Sequence, residues 1–316
     1  MKKKNFSKPG IGLGIMLCTF ALLPAGCSND SAPDDGKSDG RVALQVTGGI
    51  SVQTRAHDKT WDAGDQIGIY MFAAGQTTLV EGADNIPYET KTDAGIFTPV
   101  ATIIYFPTDG SNVDFHAWYP YKDVGDGEWT ADLTDQTSQA VLDLMTADAK
   151  SSTQAGAAVY NKENPSVVLN FRHRLTKLQL NITPGKGITP DELKGLKVEI
   201  TKQWKTAIYA PEFDATGFTE ELSSISLLTA ADGTSAEAIL FPDDLTGKAL
   251  TPGRQLVFTF GSTGEKFYWD IPAGKSFNAG EKNIYDITIN RRTLDVSGGI
   301  SDWNEGNGAG EPGSAE

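Results

Sequence analysis

The chain has 316 residues, with 27 Lys and Arg against 41 Asp and Glu, a formal charge of −14 at pH 7. Hydrophobic residues at 39% and aromatics at 9% can build real cores, which excludes a disordered chain. The acidic balance excludes phosphate-driven nucleic-acid binding and membrane attachment through basic patches, and the length predicts about two domains.

Met1 to Lys8 is cationic, Ile11 to Leu23 is apolar, and Pro24-Ala25-Gly26 precedes Cys27. A cationic start, a short apolar run and small residues before a cut make a secretory signal. The apolar run, about 13 residues, is too short to span a bilayer, which takes about 20. Small residues directly before a cysteine resemble a bacterial lipobox, with Leu23 one place earlier than the usual leucine. The expected signal is therefore 1–26, with Cys27 acylated at the new N-terminus. Cys18 and Cys27 are the two cysteines, so removal of the signal leaves one and no internal disulfide. The cut also removes four lysines and no acid, taking the charge from −14 to −18. Three acyl chains exceed the two-signal requirement for stable anchoring.

Residues 27–41 read as a flexible tether, because Ser28 to Gly40 lacks large apolar residues. Val42, Leu44, Val46, Ile50 and Val52 then alternate, with Gly48-Gly49 predicting a break or bulge in a first strand. Thr54 to Lys59 reads as an exposed connection. Strands are predicted at Gln66 to Phe72, Ala101 to Phe106 and Val113 to Tyr119. Thr108 to Ser111 supplies turn residues that would join the last two as a hairpin. Val141 to Met145 fits a strand or a short helix equally well. Val167 to Ile182 is the cleanest period-2 run: Val167, Leu169, Phe171 and His173 share a face, and Leu178, Leu180 and Ile182 follow a slip or bulge near Leu175. Thr189-Pro190-Asp191-Glu192 predicts one helical turn. Further strands are expected at Leu196 to Thr201, Ile225 to Leu228, Ala238 to Phe241, Gln255 to Phe260, Lys266 to Ile271 and Asn283 to Asn290. Leu294 to Val296 and Ile300 to Trp303 close the ordered part, and 304–316 reads as a disordered, Gly-rich tail.

Strand signals every 8–15 residues or so, without sustained helical periodicity, predict an all-β chain of two tandem antiparallel β-sandwich domains. The expected domains are 42–163 and 164–303.

Catalytic patterns fail on inspection. His57, His116 and His173 are the three histidines, and no metal-binding spacing joins them. Gly36-Lys-Ser38-Asp-Gly40 lacks the strand and helix that a nucleophile elbow needs. Gly274-Lys275-Ser276 has Trp269 where a phosphate loop needs its first glycine. His173, between two arginines in a strand, reads as a structural histidine. Asp123, Asp126 and Glu128 read as a solvated turn rather than a calcium loop. Trp118, Trp204 and Trp269 lie in or near strand runs and read chiefly as core. No enzyme, cofactor or metal is expected.

Several stretches together resemble the fimbrillin family of the Bacteroidales, the subunits of type V pili. They are Thr54-Arg55-Ala56 with Trp61-Asp-Ala-Gly64-Asp65; Ile104-Tyr-Phe-Pro107; Phe115-His-Ala-Trp118-Tyr-Pro-Tyr121; Asp143-Leu-Met145; and Phe171-Arg-His173-Arg-Leu175. Trp269-Asp-Ile-Pro272, Phe277-Asn-Ala-Gly280 and Ile300-Ser-Asp-Trp303 complete the set. The resemblance implies transthyretin-like sandwiches, export as an outer-membrane lipoprotein and assembly with other fimbrillin subunits at the cell surface. It also implies that an arginine-directed protease cuts after the first strand, which then leaves a groove for a donor strand. Arg55 is the expected cut site and Arg41 the second candidate, since cutting at Arg41 would leave the strand in place. At the C-terminus only Leu294 to Trp303 is apolar, and the C-terminal domain has its own claim on it. The sequence thus reads more readily as a strand acceptor than a donor, which would suit a fibre end. The alternative reading is a permanently lipid-anchored surface protein that binds glycan or a host ligand on an exposed row of aromatic rings.

Overall fold

The computed structural model describes residues 40–50, 60–124, 128–154, 156–209, 215–218, 222–243, 253–291, 294–302 and 311–315. Cys27, Val52 and Arg55 lie outside them. Among the described residues the chain is all-β, apart from two 3-10 turns at Gln139–Val141 and Pro190–Leu193. The second turn is the one the sequence predicts, with Thr189 at the N-cap, Pro190 first and Asp191 and Glu192 in its first turn; the Thr189 N–H donates to Glu192 Oε2 at 2.8 Å.

The first strands are β1 (Gln45–Ile50), β2 (Gln66–Ala73), β3 (Ile86–Thr90), β4 (Ile96–Pro99), β5 (Val113–Tyr119), β6 (Trp129–Asp132), β7 (Met145–Ala149) and β8 (Ser166–His173). Seven of them close on themselves in the order β1-β4-β3-β2-β5-β7-β8. Every neighbouring pair in this closed sheet is antiparallel except β1 and β8, the parallel pair that completes the ring. Its interior holds Ile67, Ile69, Phe97, Phe115, Leu169 and Phe171, all within 3% of full burial.

The remaining strands are β9 (Thr176–Pro184), β10 (Lys197–Gln203), β11 (Thr206–Tyr209), β12 (Ala215–Phe218), β13 (Ser223–Ser226), β14 (Leu228–Thr229) and β15 (Ser235–Leu240). They continue with β16 (Gln255–Thr259), β17 (Lys266–Asp270), β18 (Glu281–Ile289), β19 (Leu294–Asp302) and β20 (Glu311–Ala315). They form a four-stranded sheet β13-β10-β16-β17 and a six-stranded sheet β14-β15-β9-β18-β19-β20, with β6 joining β11 and β12. Leu178 and Leu180 from the six-stranded sheet meet Ile200 and Phe258 from the four-stranded sheet in a second core.

The two cores share a seam. β2 is buried on both faces: Ile67, Ile69 and Met71 belong to the first core, Tyr70 and Phe72 to the second. Trp129, Ala131 and Leu133 also reach the second core. Beyond them the buried Gln136 side chain pairs with Ile239. It accepts from the Ile239 N–H at 2.8 Å and donates to the Ile239 carbonyl at 3.1 Å, completing backbone bonds that β15 lacks there.

Four details differ from the sequence reading. Residues 101–106 form no strand and no hairpin with β5; Ile104 and Phe106 instead bond residues 42–44, and β5 lies between β2 and β7. An alternating apolar run can fill a core with very little ladder of its own. Gly48-Gly49 makes no bulge, for β1 keeps a continuous register along β8 from Gln45↔Ser166 to Ile50↔Phe171. The single run Val167 to Ile182 divides between two sheets. β8 pairs with β1 and β7 although it falls in the second expected segment, and after Arg174 and Leu175 the chain enters the second core as β9. Finally, residues 311–315 of the expected loose tail pair with β19 as β20, because edge pairing uses main-chain groups and tolerates Pro312.

Candidate functional site

The first strand is the stave that closes the seven-stranded sheet. β1 lies between β4 and β8, antiparallel to one and parallel to the other. Its residues alternate as the sequence requires: Gln45 and Thr47 are exposed, Val46 and Gly48 are buried, and Gly49 and Ile50 are half-buried. Leu44 is also buried, while Val42 and Ile50 pack partly against the first core. Burying Leu44 and Val46 contributes about 1.5–3 kcal/mol each.

Backbone bonds extend the strand beyond its regular ladder. Leu44 N–H donates to the Ile104 carbonyl at 2.9 Å, and Phe106 N–H donates to the Val42 carbonyl at 3.0 Å. The 104–106 segment is itself held, because Ile104 N–H donates to the Tyr88 hydroxyl at 3.0 Å. Burial pushes that hydroxyl up to about 12, so it stays neutral across physiological pH.

The far end of β1 meets an aromatic cage. Trp61 stands edge-on to Phe97, Tyr119 and Phe171, at centroid distances of 5.0, 5.4 and 5.3 Å. Its indole Nε1 donates to the Gly48 carbonyl at 2.8 Å, and Gly48 N–H donates to the Gly95 carbonyl at 2.8 Å. A Cβ on Gly48 would lie 2.7 Å from Phe97 Cε2, inside contact distance. Gly95 has φ +67°, and a Cβ there would lie 2.1 Å from the Gly48 carbonyl oxygen. Two glycines are thus needed for backbone to pass this close to the rings. Tyr119 is fixed from behind by its hydroxyl, which donates to Asp65 at 3.0 Å. Burial, then the Asp65 charge, pushes that hydroxyl well above the ordinary tyrosine range, keeping it a donor.

Among the named site residues, Arg41 is exposed and its guanidinium sits 4.2 Å over the Tyr105 ring at the start of the strand. Leu44 and Val46 are buried in the first core, and Val42 and Ile50 pack partly against it. The sequence reading missed the cage. Its only trace in the sequence is Gly48 itself, which looks like a bulge until Trp61, Phe97 and Phe171 are brought around it.

His173 is a buried core residue, with Nδ1 2.8 Å from Asp143 Oδ1. Among the described tryptophans, Trp61, Trp118, Trp129 and Trp269 are buried and Trp204 is half-buried.

Comparison with known proteins gives a consistent picture. The model of the fimbrillin-like family matches residues 54–303. A candidate fimbrium subunit of Bacteroides uniformis, Fim1C, is 41% identical over 312 residues, covering 95% of this chain and 97% of its own. The crystal structure of a candidate cell adhesion protein from Bacteroides uniformis superposes with a TM-score of 0.70 at 39% identity, over 84% of this chain and all of that one. One from Bacteroides ovatus shares the fold, with a TM-score of 0.64 at 21% identity over 83% of this chain and 98% of its own.

Proposed function

The chain belongs to the fimbrillin-like family, and from that membership we propose that it is a structural and adhesive subunit of a cell-surface fimbria. It is exported as a lipoprotein through Cys27, held at the outer membrane, and freed for assembly by cleavage after Arg55. The cut separates Cys27 and β1 from the rest of the chain. The observation that carries this reading is that β1 is both the first strand and the closing stave of the seven-stranded sheet.

While the 51–59 connection is intact, β1 is tethered to its own groove at high effective concentration. Cleavage removes that advantage and leaves β1 held by its contacts alone. Its departure turns β4 and β8 into sheet edges with unpaired N–H and C=O groups beside an apolar slot. Strand addition from another subunit satisfies both. A cut at Arg41 would leave β1 bound, so Arg55 is the productive site.

The two cores support an organisation in two units of transthyretin-like β-sandwich type. We draw the division after β8 rather than before it, a choice supported by the pairing of β8 with β1. The competing glycan-binding reading needs a row of exposed rings. Among the described residues Tyr268, 51% exposed, is the one aromatic side chain that is largely open to solvent. Replacing Arg55→Ala tests the proposal: the expected result is unprocessed lipoprotein without fibres, and normal fibres from that variant would overturn it.

A further inference from the structure

Arg41 stands before the first strand and Arg55 after it, so a cut at either residue detaches Cys27, but only the second frees β1. Arg41 is exposed, and its guanidinium lies 4.2 Å over the half-buried Tyr105 ring. The ring quadrupole attracts a cation placed over its face. Main-chain bonds hold the residues that follow. Phe106 N–H donates to the Val42 carbonyl at 3.0 Å, Ala43 pairs with Tyr105 in an antiparallel bridge, and Leu44 N–H donates to the Ile104 carbonyl at 2.9 Å. On the other side, Gln45 N–H donates to the Pro165 carbonyl at 3.0 Å. The 104–106 segment is anchored in turn. Ile104 and Phe106 are buried, and Ile104 N–H donates to the Tyr88 hydroxyl at 3.0 Å. Alternation turns Tyr105 outward between them, which places its ring beneath Arg41.

Resting on the proposed processing after Arg55, we infer that Tyr105 determines the specificity of that step by guarding the Arg41–Val42 bond from the arginine-directed protease. An endoprotease takes several residues around its cut as an extended strand, through main-chain hydrogen bonds like those of strand addition. It must also draw the arginine head into a pocket of its own. Here the head sits on Tyr105, and the main chain of residues 42–45 is already paired. Cutting after Arg41 therefore waits for this stretch to open locally, and its rate follows the fraction of chains that are open. The guard sets the order of events. A cut after Arg41 would shed the chain from its lipid while β1 still closes the sheet. With that bond protected, one cut after Arg55 detaches the lipid and frees β1 together.

Time courses of the full chain with an arginine-specific endoprotease, read by mass spectrometry, test this. In the native chain the bond after Arg55 should be cut well before the bond after Arg41. Tyr105→Ala should speed cutting after Arg41 by about two- to fivefold, the strength of one exposed cation–π contact, and leave the rate after Arg55 unchanged. Tyr105→Phe keeps the ring and should be cut like the native chain. A synthetic peptide of residues 37–46 carries the sequence without the fold, so it should be cut rapidly after Arg41. If Tyr105→Ala leaves the Arg41 rate unchanged, or raises both rates alike, the guard falls. Slow cutting of the free peptide would also overturn it, by placing the resistance in the sequence. Resistance of the Arg55 bond in the native chain would instead sink the proposed processing, and the Arg41 rates would still decide whether Tyr105 protects that bond.

Discussion

Trp61 Nε1 donates to the carbonyl oxygen of Gly48 at 2.8 Å, across the seam where the first strand closes the sheet. This one bond ties β1 to the segment that follows the 51–59 connection. It is buried, so losing it leaves a carbonyl without its partner. Trp61→Phe should destabilise the intact chain by about 1–3 kcal/mol and loosen β1 first. Urea unfolding, with hydrogen exchange at Gly48, measures both effects.

Gly48 and Gly49 are neighbours with opposite surroundings. A Cβ at Gly48 runs into Phe97 at 2.7 Å, whereas at Gly49 the nearest atom is Asn170 Oδ1 at 3.5 Å. Gly48→Ala should therefore cost about 1–3 kcal/mol through overpacking, and Gly49→Ala should change stability by less than about 0.5 kcal/mol. Equal effects in denaturant unfolding would contradict the cage.

The alternation of Leu44 and Val46 was legible in the sequence because side-chain period alone fixes which residues face inward. The role of Gly48 was not legible, because it depends on Trp61, Phe97 and Phe171 arriving from three other parts of the chain. Residues 101–106 misled for a related reason. Their apolar alternation is real, and Ile104 and Phe106 are buried, but their partner is the short stretch 42–44 rather than β5. The long run from Val167 to Ile182 was read correctly as extended. Only the pairing partners reveal that it belongs to two sheets.

Arg291, just before β19, holds the end of β18 through Glu192 at 2.6 Å and Glu265 at 3.3 Å. The Arg291 hydrogen bond, followed by the bonds from Thr189, lowers the Glu192 carboxyl to about 2. A depressed carboxyl stabilises the fold above its ordinary value and loses that contribution as pH falls through the folded value. The Glu192 clamp should thus persist at pH 4 and fail only as pH approaches about 2. An NMR titration of Glu192 reads this directly, and Arg291→Gln should return the carboxyl toward the usual glutamate range.

Asp243 and Arg254 form a buried two-pronged ion pair, at 3.0 and 3.1 Å, and Phe277 N–H donates to the same carboxylate at 2.6 Å. Removing one partner strands the other charge, so Arg254→Ala should cost about 3–5 kcal/mol. Thermal unfolding measures it, and the loss should appear in the second core while hydrogen exchange at Gly48 is unchanged.

The central claim is that the working subunit has lost its first strand. Mass spectrometry of the N-terminus, on protein sheared from native cells, tests it most directly. The account predicts high-mass polymer whose chains begin at Ala56 and carry no lipid. Polymer whose chains begin at an acylated Cys27, with β1 still attached, would contradict it.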